Sequence, residues 1–165
     1  MKVDGPGIAR LLTLAEAAAF VARQRADRQR VVFTNGVFDI LHPGHVRYLQ
    51  AARALGDVLI VGLNADESVR RNKGPGRPIN PEQERAEMLA ALECVDAVVI
   101  FHEDIPDAII RLVQPDILVK GADWAADQIV GRDIVEARGG QVVRMPVEEG
   151  FSTTALLERI KRAGA

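Results

Sequence analysis

The chain has 165 residues, of which 48% are hydrophobic and 27% charged, and its net charge is −2. That length suits one domain around a single core, and the balanced charge excludes a chain-wide basic field for nucleic acid or an anionic membrane. Cys94 is the only cysteine, so no internal disulfide can form. No apolar run approaches the roughly 18 residues of a membrane span. Together these point to a cytoplasmic protein.

Residues 1–10 contain Gly5-Pro6-Gly7 and lack a signal-peptide pattern, so they are expected to form a flexible arm before a single domain at 11–165. An amphipathic helix is expected over residues 11–26. Five short apolar runs follow, at 31–34, 58–63, 97–101, 117–120 and 142–145. They are rich in Val and Ile and nearly continuous, as strands buried on both faces are. Between them, Val46, Leu49 and Ala52 mark one helical face, and Met88, Leu89 and Leu92 another. Asn80, Pro81 and Gln83 read as an N-cap, a first-turn proline and a capping-box partner. A last helix is expected over 153–161. The alternation of strands and helices predicts a five-stranded parallel α/β sheet with an extra N-terminal helix. In such sheets ligands gather beyond the carboxyl ends of the strands, where strand order reverses. Segments 35–45 and 121–124, after the first and fourth runs, are therefore the places to search.

Two of the three histidines stand in His42-Pro43-Gly44-His45. Pro43 and Gly44 suit a helix start, and residues three apart share a face, so both imidazoles can aim at one point. That point lies at a helix N-terminus, where free N–H groups and the macrodipole favour an anion. Gly44 lets a phosphate approach the backbone. A zinc site would need further ligands, and Cys94 and His102 belong to distant segments; two histidines that merely cap the helix are also compatible with the pattern. Neither G-x-x-x-x-G-K-[ST] nor a G-x-G-x-x-G after a strand occurs, which counts against P-loop kinases and nicotinamide dehydrogenases.

The run Arg70-Arg71-Asn72-Lys73-Gly74-Pro75-Gly76-Arg77 reads either as a solvated surface loop or as a mobile arm that neutralises a triphosphate. Gly150-Phe151-Ser152-Thr153-Thr154 opens the last helix; simple capping explains Ser152, and the run of hydroxyls also suits a second anion site. Lys120-Gly121-Ala122-Asp123-Trp124 ends the fourth run with a cation, a carboxylate and the only tryptophan, a residue that could equally belong to the core.

Thr34-Asn35-Gly36-Val37-Phe38-Asp39-Ile40-Leu41-His42-Pro43-Gly44-His45 resembles the signature of the cytidylyltransferase-like superfamily. The resemblance extends through 80–85, 119–124 and 150–154, and is nearest to the nucleotidyltransferase half of ADP-heptose synthases and to stand-alone heptose 1-phosphate adenylyltransferases. Val147-Glu148-Glu149-Gly150 replaces the Arg-Thr-Glu-Gly of the cytidylyltransferases, and Lys120 is absent from them. The resemblance implies a doubly wound, Rossmann-like sheet and Mg²⁺-dependent transfer of an adenylyl group from ATP to D-glycero-D-manno-heptose 1-phosphate. ADP-heptose for lipopolysaccharide and pyrophosphate would be the products.

By position, the resemblance implies that His42 and His45 stabilise the α-phosphate and that Lys73 and Arg85 hold the triphosphate. It places Asn35, Gly36, Phe38, Asp39, Gly44, Lys120, Gly121, Asp123, Trp124, Ser152 and Thr153 around the nucleotide and its phosphates, and Asp66 toward the acceptor. No metal ligand is assigned. A separate sugar kinase is expected to supply the acceptor, and a homodimer is expected. Other sugar or polyol phosphate specificities, a cytidylyltransferase among them, and a nucleotide-binding module without turnover remain the alternatives.

Overall fold

A computed structural model describes residues 10–164. The arm expected at 1–10 lies outside the described residues except for Arg10, which belongs to a strand. In chain order the elements are β1 (Arg10–Leu12), α1 (Leu14–Ala26), β2 (Val31–Gly36), α2 (Pro43–Arg53), β3 (Val58–Asn64), α3 (Asp66–Lys73), α4 (Glu82–Ala90), β4 (Ala97–Phe101), α5 (Asp107–Val113), β5 (Ile117–Gly121), a 3₁₀ turn (Ala126–Gln128), α6 (Arg132–Ala137), β6 (Gln141–Met145) and α7 (Thr153–Ala163). The strands form one sheet in the order β1-β4-β3-β2-β5-β6, parallel throughout.

The five expected strands are present, and β1 is a sixth. Leu11 lies opposite Val98 of β4, so the N-terminal helix begins later than its apolar pattern suggested. Thr13 stops it: its side chain accepts from the Glu16 N–H at 3.2 Å while Glu16 accepts the Thr13 N–H at 2.9 Å. This reciprocal capping box satisfies two otherwise orphaned donors. At α4 the expected cap is absent. The cap position is Pro81, with no side-chain hydrogen bond, because Asn80 donates instead to the Asp39 carbonyl at 2.8 Å. Met88, read as apolar-facing, is 57% exposed.

Helices cover both faces of the sheet. Phe20, Ile109, Ile110 and Val135 from α1, α5 and α6 pack with Phe33, Ile60, Phe101 and Leu118. On the opposite face Leu49 and Ala52 of α2 and Ala86 and Leu89 of α4 meet Val32, Leu59, Val61 and Val119. The direction of winding reverses between β2 and β5, and the loops after these two strands open a crevice there. Leu49 is fully buried; its replacement by Ala would cost about 2–5 kcal/mol and loosen the helix that carries both histidines.

Candidate active site

The amino end of α2 is built from its own sequence. His42 is extended (φ −140°, ψ 167°) and caps the helix, its Nδ1 accepting the His45 N–H at 3.3 Å, and Pro43 takes the first helical position, where no N–H is needed. An accepting Nδ1 puts the proton of neutral His42 on Nε2. The two imidazoles stack with centroids 3.7 Å apart at 17°. A Cβ on Gly44 would lie 2.9 Å from Phe151 Cβ and 3.1 Å from the His42 ring, so the room left by this glycine is taken by Phe151 and His42. Phe38 meets the His45 ring edge-on at 5.2 Å. It holds φ at +45°, a left-handed conformation that is costly for a bulky residue.

Burial, and next the neighbouring His42, lower the His45 pKa to about 4, with the Ile40 carbonyl opposing them. Burial also pulls the His42 pKa down. His45 Nδ1 is buried without a hydrogen-bond partner. The pair is therefore neutral near pH 7, and each ring carries one N–H.

Three contacts fix α2 against the switch point and the start of α7. Thr34 Oγ1 donates to the Val119 carbonyl at 3.0 Å and accepts from Tyr48 at 2.8 Å. Burial raises the Tyr48 pKa to about 12, so it remains a donor. Arg47 pairs with both carboxylate oxygens of Glu148 at 3.0 and 2.8 Å. Its guanidinium lies 5.5 Å from the Phe151 ring centre. Ser152 then caps α7, accepting the Ala155 N–H at 3.0 Å.

The basic run is not one mobile arm. Arg70, Arg71 and Lys73 belong to α3. Arg71 donates to Asp104 at 2.7 Å and to the His102 carbonyl at 2.8 Å, and Arg70 approaches Asp66 at 3.9 Å. Arg77 is bonded to the buried Asp39. Lys73 forms no ion pair among the described residues and lines the cavity. Burial would raise the Asp39 pKa, but the Asn80 and Ile79 N–H groups and Arg77 outweigh it and hold it below the ordinary carboxylate value.

Arg85 and Asp66 are placed differently from the expectation. The Arg85 side chain is fully buried, donating to the Asn80 carbonyl at 2.9 Å, the Val37 carbonyl at 2.7 Å and Asp66 at 2.7 Å. Three of its five N–H donors are so engaged and the side chain lies outside the cavity lining, so it braces the loop before the histidines. Asp66 in turn faces Arg85.

All the other expected residues line one cavity of about 1050 Å³, large enough for two substrates. Lys120 is 9% exposed, with no ion pair among the described residues. Its Nζ lies 5.5 Å from the Trp124 ring centre. Burial lowers its pKa to about 8, against the pull of Asp123. Trp124 is half-exposed rather than core. A side chain at Gly121 would strike the Asp123 carboxylate. Sequence reasoning gave no role to Arg47, Tyr48, Asn64 or Asp104, and took Asn72, Arg77, Glu148 and Phe151 only as members of their motifs. Only the folded chain shows which way they turn.

A stacked histidine pair at a helix N-terminus beside the switch point of a parallel sheet is the arrangement of a nucleotidyltransferase. Residues 33–159 match the cytidylyltransferase-like family model, and the chain belongs to that family. It is 56% identical over 159 residues to the bifunctional protein HldE of Gluconacetobacter diazotrophicus, covering 96% of this chain and 33% of that protein. It is 59% identical over 135 residues to HldE of Nitrobacter hamburgensis, covering 82% and 27%. The chain thus spans about a third of the length of these curated relatives. Among solved structures it resembles a lipopolysaccharide core biosynthesis protein from Thermoplasma volcanium, with a TM-score of 0.60 and 32% identity, covering 73% of this chain and 97% of that one. A pantoate-β-alanine ligase from Francisella tularensis shares the fold, with a TM-score of 0.60 at 14% identity over 94% of this chain and 78% of that one. Among the described residues no helix is long and apolar enough to cross a membrane.

Proposed function

We propose that the chain transfers an adenylyl group from ATP to a heptose 1-phosphate, giving ADP-heptose and pyrophosphate in the cytoplasm. The observation that carries this reading is the neutral, stacked His42–His45 pair at the amino end of α2, facing a cavity with room for both substrates. An acceptor phosphate oxygen bonds to the α-phosphorus of ATP as the bond from that phosphorus to the bridging oxygen of pyrophosphate breaks. The acceptor is already anionic, so no proton need be removed. Alignment and charge neutralisation supply the catalysis.

The imidazole N–H groups of His42 and His45 donate to α-phosphate oxygens, and Lys73 and Lys120 supply positive charge. The N–H groups and hydroxyls at Ser152 and Thr153 hold further phosphate oxygens. The apolar edge at Met145, Pro146 and Val147 suits the purine. Mg²⁺ bound to ATP would supply neutralisation of phosphate charge. The described residues gather no three His, Cys, Asp or Glu side chains at one point, a donor set suited to an ion held mainly by phosphate oxygens and water.

The heptose assignment draws support from Lys120 and Val147-Glu148-Glu149-Gly150, and from the likeness to the Thermoplasma lipopolysaccharide core biosynthesis protein. A sugar kinase reaction must supply the acceptor. Incubation with ATP and heptose 1-phosphate, read by mass spectrometry, tests the reading. ADP-heptose and pyrophosphate in equal amounts are expected; ATP hydrolysis alone, or no product, would refute it.

A further inference from the structure

The cavity has two unlike halves, because side chains alternate between the faces of a strand. Phe33, Ile60 and Leu118 point into the core under α1, α5 and α6. Continuing along the same face toward the carboxyl ends, β2 presents Asn35, β3 presents Gly62 and then Asn64, and β5 presents Lys120. A Cβ on Gly62 would meet Phe33 Cζ at 2.7 Å and Asn35 Cβ at 3.2 Å, so glycine there lets the polar row close over the apolar core. This face is opposite to the one that carries α2 and its histidines.

Two more polar groups border the row. Asn72 of α3 donates to the Asp104 carbonyl at 3.5 Å, and Arg71 holds one Asp104 carboxylate oxygen at 2.7 Å. Asn35, Asn64, Asn72 and Asp104 all line the cavity. The Asn35 side-chain oxygen is buried and unpartnered, which is costly until a donor arrives. Asn64 donates to Ser68 Oγ at 3.1 Å, and its oxygen takes no donor among the described residues. Tyr48, Met145, Pro146, Val147 and Phe151 also line the cavity and supply apolar surface that suits a base.

We propose that Asn35, Asn64, Asn72 and Asp104 form the subsite that reads the hydroxyl groups of the acceptor sugar. Amides both donate and accept, and a carboxylate accepts from neighbouring hydroxyls, which is the pattern a polyhydroxylated chain requires. The role that position suggested for Asp66 passes to this row, because Asp66 is committed to Arg85. Asn35, which position had set beside the nucleotide, moves to the acceptor side because it lies beside Gly62 on the face opposite α2. The inference rests on the sugar 1-phosphate adenylyltransferase reading.

The test is steady-state kinetics of Asn35→Ala and Asn72→Ala with ATP and heptose 1-phosphate, together with calorimetric binding of a non-hydrolysable ATP analogue. Asn72 is exposed, so its variant probes the subsite even if Asn35→Ala unfolds. The expected result is a rise of about tenfold in KM for heptose 1-phosphate with ATP-analogue affinity within about twofold of wild type. Weakened analogue binding with an unchanged acceptor KM would overturn the subsite while leaving the transferase reading intact. A wild-type protein that adenylylates no sugar 1-phosphate would remove both.

Discussion

Arg77 Nε donates to Asp39 at 2.6 Å, joining segments 38 residues apart. The same carboxylate accepts the N–H groups of Ile79 and Asn80 at 2.8 and 3.0 Å. The loop between α3 and α4 is thus anchored at its far end to the loop that leads into the histidines. Open space is left around Gly74 and Gly76, where nothing lies within 4 Å of an added Cβ, although the Gly74 N–H still donates to the Arg70 carbonyl at 2.9 Å.

Removing that anchor should be expensive. Asp39→Ala leaves Arg77 and two N–H groups without their acceptor and should destabilise the fold by about 3–5 kcal/mol, whereas Asp39→Asn, which keeps an acceptor oxygen, should cost less. Hydrogen exchange should show slow amides at Ile79 and Asn80 in the wild type and fast ones in Asp39→Ala, with Gly76 fast in both. Equal exchange at 79 and 80 in both proteins would remove the anchor.

The histidine pair should act on the transition state. His45→Ala and His42→Ala should each lower kcat by roughly 10²–10³ while ATP affinity stays within a few-fold, because the donors act on charge that develops during transfer. Near-normal turnover would exclude the residue concerned from catalysis.

Stability should depend on pH through His45. Its folded pKa of about 4 lies below the ordinary value of 6.5, so above pH 6.5 both the folded and unfolded forms are neutral. As pH falls toward 4 the unfolded chain binds a proton that the folded one refuses, and stability is lost across that window. His45→Gln should flatten the fall in Tm between pH 6.5 and 4. An unchanged slope would show that other groups dominate.

Lys120 should impose an opposite limit on the alkaline side. With a pKa of about 8 in the free protein, it loses its charge as pH rises through that value, and affinity for the triphosphate should fall with it. Lys120→Arg keeps the charge throughout and should remove the decline. Calorimetry with a non-hydrolysable ATP analogue between pH 7 and 9 measures both; a parallel decline in the variant would exonerate Lys120.

The sequence was informative where local chemistry and structure coincide. Continuous Val and Ile runs announced five strands, four of them buried and the last, Gln141–Met145, a half-exposed edge, and His42-Pro43-Gly44-His45 announced a capped helix start. The strand Arg10–Leu12 was hidden because three residues carry no periodicity and its leucines merge with the following helix; Thr13 and Glu16 held the missed signal. Arg85 and Asp66 could not be placed from position alone. Nothing in the order of residues says that a basic side chain in a family motif will turn inward and satisfy the Asn80 and Val37 carbonyls. Asn80 was read as a cap because its competing partner, Asp39, lies 41 residues away.

Nucleotide choice tests the adenylyltransferase assignment most directly. The base sits away from the reacting phosphate, so groups at the cavity edge must read it, and here that edge carries Val147, half-exposed, while Glu148 is engaged by Arg47. The arginine of the cytidylyltransferase motif would suit the acceptor-rich edge of cytosine and is absent. Losing matched polar partners for the wrong base costs about 1–3 kcal/mol, or roughly ten- to a hundred-fold in kcat/KM. The decisive measurement is kcat/KM for ATP and CTP with heptose 1-phosphate, followed as pyrophosphate release. ATP should be preferred by at least about tenfold; equal or faster turnover of CTP would contradict the adenylyltransferase assignment.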